Sequence, residues 1–93
     1  MRLSESQINV IKTTVHALDP KARIYLFGSR ADDSKRGGDI DLLIMSQELT
    51  KRDARPIRLG LYKQLGEQKI DIVIARNTDD AFVRIALVEG VAL

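Results

Sequence analysis

Two aspartates with one residue between them, Asp39 and Asp41, and a third at Asp71 are the positions in this 93-residue chain whose types and spacing can do chemistry. In an extended segment successive side chains point to opposite faces. Asp39 and Asp41 therefore share one face, while Ile40, Leu42 and Ile44 line the other. Asp71 repeats the arrangement between Ile70 and Ile72. If the two strands are neighbours in suitable register, three carboxylates meet at one end of a sheet. Acidic groups in one site repel, and one of them is ordinarily forced to keep its proton. A divalent cation removes that conflict. Mg²⁺ takes a few carboxylate oxygens and completes its shell with water and substrate phosphates, so Asp-x-Asp with a separate Asp suits two-metal phosphoryl transfer. Taken alone, the pair also fits two solvated residues at a strand entrance. Asp71, on an otherwise apolar strand, is the stronger sign, because an unpaired carboxylate inside a sheet is costly and needs a metal or a cation beside it. A structural ion pair is the competing account of it.

The complement to the acids is the turn Phe27-Gly28-Ser29-Arg30. A glycine lets phosphate approach the backbone, and a helical turn after it offers free N–H groups and a hydroxyl. Gly-Ser after a strand is ordinarily just a turn. With Asp39 and Asp41 ten and twelve residues beyond Ser29, it becomes a specific pattern. Arg30 can neutralise phosphate, although an arginine after a turn is more often solvated or ion-paired.

The elements that must position these residues follow from periodicity and turn chemistry. Ile8, Ile11, Val15 and Leu18 are helically spaced behind a Ser4–Gln7 capping box and a Leu3–Ile8 staple, which predicts a helix over about residues 5–18. Asp19-Pro20 stops it. Arg23 to Phe27 reads as a short strand and Arg30 to Gly38 as a polar loop. Asp39 to Met45 is a second strand. Ile57, Leu61 and Leu65 mark a helix that begins near Arg55, with Pro56 in its first turn and Gly66 as its stop. Ile70 to Ala75 is a third strand. Thr78 is the expected cap of a last helix carrying Phe82 and Ile85, with Leu87 and Val88 as further apolar positions, which Gly90 ends, and Val91 to Leu93 docks as an extended piece. The order α-β-β-α-β-α, without repeat or linker, predicts one α+β domain over residues 1–93: a small three-stranded mixed sheet with helices covering one face.

Composition narrows the chemistry further. With no cysteine, thiolate sites are excluded, and oxygen ligands or the lone His16 remain for a metal; His16 reads as an exposed helix residue. The polar start MRLSESQ and the lack of a long apolar run predict neither signal peptide nor membrane span, which makes the cytoplasm the default location. A net charge of +2 is too small to argue for nucleic-acid binding. Lys51, Arg52, Arg55 and Arg58 form the densest basic stretch, ordinarily a solvated face. Without interleaved aromatic residues, sequence-specific RNA binding is not expected.

Gly28-Ser29, nine residues, then Asp39-Ile40-Asp41-Leu42-Leu43-Ile44 resembles the GS…DxD signature of the polymerase-beta-like nucleotidyltransferase superfamily, and most nearly its minimal (MNT) branch. The similarity spans nearly the whole chain, including FGSRA at Phe27 to Ala31, IDIVI at Ile70 to Ile74 and EGVAL at Glu89 to Leu93. The spacer is about one residue shorter than the commonest form, and Gly38 stands where the family often has Ser. The resemblance implies a polymerase-beta-like fold in which Asp39 and Asp41 ligate two Mg²⁺ ions. Asp71 would be the third catalytic carboxylate and metal ligand, helping to activate the attacking hydroxyl, with Gly28 and Ser29 gripping the triphosphate. The implied reaction is attack of a hydroxyl on the α-phosphate of ATP with release of pyrophosphate. MNT proteins are typically paired with a helical HEPN protein, so the resemblance further implies an antitoxin that adenylylates a tyrosine of its HEPN toxin. Restraint of that partner by binding alone, or nucleotidyl transfer to a small molecule of the aminoglycoside type, are the alternatives.

Overall fold

The computed structural model describes residues 1–32, 38–66 and 68–93. The loop expected from Arg30 to Gly38 thus falls, at residues 33–37, outside the described residues. Helix α1 (Glu5–His16) begins with the expected capping box: the Ser4 hydroxyl accepts from the Gln7 amide at 3.1 Å, and the Gln7 side chain accepts from the Ser4 amide at 2.9 Å. Two of the free amides at a helix start are satisfied this way. The helix stops two residues short of expectation, because the Leu18 and Asp19 amides both turn back to the Val15 carbonyl.

Strand β1 (Arg23–Phe27) pairs antiparallel with β2 (Ile40–Met45), and β2 pairs parallel with β3 (Ile70–Ala75). Parallel neighbours need a crossover. Helix α2 (Ala54–Leu65) supplies it, led in by a 3-10 turn, Lys51–Asp53, and ended at Gly66. Helix α3 (Ala81–Glu89) returns the chain to β4 (Val91–Ala92), which pairs with β1. Its N-cap is Asp80, whose carboxylate accepts from the Phe82 amide at 2.8 Å, rather than Thr78.

The sheet is a mixed one, ordered β3-β2-β1-β4. It has four strands where three were expected, since the C-terminal extended piece makes two backbone pairings with β1 and so counts as a strand. Ile24, Leu26, Ile40, Leu42, Ile44, Ile70 and Ile74 pack with Ile11 and Val15 of α1 and Ile57 and Leu61 of α2 into the main core. Fully burying such a side chain contributes about 1.5–3 kcal/mol. The expectation of helices on one face holds for α1 and α2 only. Past Asp41, β2 is apolar on both faces, and a strand of that kind must be covered twice. Helix α3 does so, setting Val83 and Ala86 on Leu43 with Tyr25, Phe27 and Val73 alongside. Helix α3 thus covers the middle of the face that carries the aspartates.

Candidate active site

Register brings the carboxylates together. Asp41 lies directly opposite Asp71 across the parallel β2–β3 ladder, and opposite Phe27 across the antiparallel β1–β2 ladder. Asp39 precedes β2 by one residue with the same parity, so all three belong to the α3 face. Asp41 is half-buried and Asp71 exposed. Burial first, then the charges of Asp71 and Asp39 and a hydrogen bond shared with Asp71, hold the Asp41 carboxyl above its usual range; Lys69 opposes the shift. Asp39 leans outward, its Oδ2 3.5 Å from Lys69 Nζ. Lys69 is largely exposed and Asp39 partly so, which leaves the pair screened by solvent and worth little. The exposure of Asp71 corrects the sequence argument about it. On the outer strand of the sheet its carboxylate reaches solvent, so burial does not force a partner upon it.

The turn after β1 is fitted to the acids. Gly28 opens a 3-10 turn, Gly28–Ala31, with a φ of +72°, and a Cβ placed there would overlap the Asp41 carboxylate. Gly38, at φ +91°, leaves the room taken by the Ser29 hydroxyl. Two residues without side chains thus bring Ser29, Asp39 and Asp41 around one opening. Gly38 is the position at which the sequence departs from the commoner Ser, and the contact with Ser29 gives that departure a physical reason.

Arg30 lies in the turn with its guanidinium bonded to the protein. Its guanidinium donates to the Gly38 carbonyl at 3.2 Å, the Arg2 carbonyl at 3.0 Å and Gln68 Oε1 at 3.4 Å, bracing three segments around the opening. Arg2, which sequence reasoning passed over, answers it. The Arg2 amide donates to the Arg30 carbonyl at 2.8 Å, its Nη2 to the Ser29 carbonyl at 2.8 Å and its Nε to the Asp32 carbonyl at 3.3 Å. These bonds span about thirty residues of chain, and nothing local in the sequence marks them. His16 is half-buried rather than exposed, its Nε2 2.9 Å from the Ala22 carbonyl, which ties α1 to the start of β1. Lys51 and Arg52 on the lead-in to α2 and Arg55 in its first turn are exposed, Arg58 is half-buried, and all four belong to the segment that covers the opposite face.

Among the described residues, no group of three histidine, aspartate or glutamate side chains closes around one point. Mg²⁺ is ordinarily bound by one or two carboxylates and substrate phosphates rather than by an all-protein cage. The facing pair Asp41 and Asp71, with Asp39 on a weak tether at the rim, is such an incomplete oxygen set. The model of the family described as polymerase beta, nucleotidyltransferase matches residues 9–93. The chain is similar to a chain of the crystal structure of a mutant of the toxin-antitoxin MntA-HpeT. The TM-score is 0.76 and the identity 23%, over 99% of this chain and 72% of that one. At that identity the likeness is one of fold. No curated protein matches the sequence.

Proposed function

This chain belongs to the polymerase beta nucleotidyltransferase family, and on that premise we propose that it transfers AMP from ATP to a hydroxyl of a partner toxin. The acceptor in this reading is a tyrosine of a HEPN-type protein, and the chain acts as the antitoxin. The observation that carries the reading is the register of Asp41 against Asp71 beside a turn in which Gly28, lacking a side chain, leaves room for the Asp41 carboxylate. The fold shared with a component of a toxin-antitoxin structure supports the choice of partner.

Asp39, Asp41 and Asp71 would hold Mg²⁺, which when bound stabilises charge on the attacking and leaving oxygens. The chain's own residues do the positioning. The Gly28–Ala31 turn presents backbone and the Ser29 hydroxyl to the triphosphate, and the lack of a side chain at Gly28 lets phosphate and Asp41 approach each other. Arg2 and Arg30 fix that turn from behind. Asp71, open to solvent on the outer strand, is reached by an incoming hydroxyl and takes its proton as the oxygen bonds to the α-phosphorus. Pyrophosphate leaves from the opposite side, and holding nucleotide and acceptor in line is the larger share of the catalysis.

Intact-mass measurement of the adjoining-gene product, after incubation with this chain, ATP and Mg²⁺, tests the reading. One AMP added, located to a tyrosine and lost when ATP is omitted, supports it. Toxin neutralised to the same extent without ATP would instead assign the chain to restraint by binding alone.

A further inference from the structure

Helix α3 buries only Val83 and Ala86. Phe82, Ile85 and Val88 stand 47%, 56% and 85% exposed along one side of it. Solvent-facing helix positions are ordinarily polar, so these three apolar side chains form a stripe that the described residues leave largely uncovered. Beside it runs a shallow groove of about 300 Å³ lined by Ala81, Arg84, Ile85, Val88 and Glu89. The stripe begins at the site. The Phe82 ring meets Phe27 edge-on, with centroids 5.6 Å apart, and Phe27 is the residue paired with Asp41.

The charges around the stripe run against those of the whole chain. Between Asp71 and Glu89 there are four acids and two bases, in a protein of net charge +2. One of those bases, Arg84, is bound to its own loop, donating to the Thr78 and Asp79 carbonyls at 2.6 and 2.9 Å. A second copy of this chain is a poor occupant. Two α3 helices face to face would set Asp79, Asp80 and Glu89 against like charges. Three side chains also offer far less than the roughly 800 Å² per partner of a standard interface. An occupant must therefore spread from the stripe onto the acidic rim that leads to Asp41 and Asp71.

The geometry points to α3 as the docking surface for the acceptor protein, taking an apolar ridge flanked by basic side chains and so delivering the acceptor hydroxyl to the carboxylates. This rests on the reading of the chain as a transferase with a protein acceptor. Charge of this kind speeds encounter, and apolar burial at the centre sets residence.

The test pairs the full chain with the purified adjoining-gene product as probe, and reads the dissociation constant, label transfer from α-³²P-ATP and Mg·ATP binding in parallel. Ile85→Gln with Val88→Gln, both at exposed positions and both to a good helix former, is expected to weaken the complex about 30-fold or more, the scale of one interface hot spot. Mg·ATP binding should stay within twofold of the unmodified chain. Asp79→Lys with Glu89→Lys should slow association most at low salt. Unchanged affinity in the Gln variant, no complex with the unmodified chain, or a homodimer that the Gln variant dissociates would each overturn the docking surface. A complex that needs Ile85 and Val88 but carries no label keeps the surface and removes the transferase reading. Label that is indifferent to both residues does the reverse.

Discussion

Replacing Gly28 with alanine separates backbone strain from damage to the site. The residue sits at φ +72°, a region that costs a side-chain-bearing residue about 1–2 kcal/mol. For a chain of this size that loss lowers the Tm by roughly 4–16 °C. The new Cβ would also overlap the Asp41 carboxylate, which must then shift from its place beside Asp71, and a displacement of about 1 Å at a reacting centre costs on the order of 100-fold in rate. Gly66 is the control. It too has positive φ, +85°, but a Cβ there meets nothing within 4 Å. Gly66→Ala should therefore lose at least as much Tm as Gly28→Ala and keep its transfer rate within a fewfold. Thermal unfolding followed by circular dichroism, with label transfer on the same samples below either Tm, reads both quantities. If the two variants lose activity in parallel with stability, the carboxylate contact is not what Gly28 serves.

Other consequences concern the acids and the clasp. Burial and two acidic neighbours raise the Asp41 carboxyl from 3.8, so the folded state holds its proton more tightly than the unfolded one. Ionising the group then costs stability as pH rises past 3.8. Asp41→Asn should show a Tm at pH 7 equal to or above the unmodified chain, with the difference shrinking toward pH 3. Asp19 behaves oppositely. The Ser46 hydroxyl at 2.6 Å and then the Lys21 amide at 3.0 Å hold it below 3.8, against burial. The stability it provides is complete above 3.8 and is lost as pH falls through its folded value. Ser46→Ala should therefore lower the midpoint of urea unfolding at pH 7 and lower it progressively less below pH 3.8. Arg2→Gln removes two side-chain bonds to the turn, each worth about 0.5–1.5 kcal/mol. It should weaken Mg·ATP binding by calorimetry about fivefold to a hundredfold, and Arg2→Lys should restore part of the loss.

What the sequence showed and what it hid divide by the range of the interaction. Strands β1 and β3 fall on the residues that periodicity marked, and the alternation across Asp39, Ile40 and Asp41 placed the acids on a common face. The Ser4–Gln7 box and the Gly66 stop were legible because a cap is satisfied within three or four residues. The partner of a backbone group across the sheet is not local, so the sequence marks Val91 and Ala92 only as a docked tail and not as a strand paired with β1. Leu43 and Met45 sit on the acidic face and need cover, yet their alternation cannot say whether one face or two are buried. Asp71 looked buried because its neighbours are apolar, while its place on an outer strand depends on strand order. The Arg2 bonds to Ser29 and Asp32 leave no local pattern at all. Arg30 and His16 were judged by residue type, and their bonds to Gly38, Arg2 and Ala22 come from the fold.

The most direct trial of the carboxylate account is label transfer from α-³²P-ATP, with Mg²⁺, to the adjoining-gene product, comparing the unmodified chain with Asp39→Asn, Asp41→Asn. Label on the partner that disappears in the double variant, while that variant melts no lower than its parent, is the predicted result. Label that persists in the double variant, or that disappears only because the protein no longer folds, would contradict the assignment of these carboxylates.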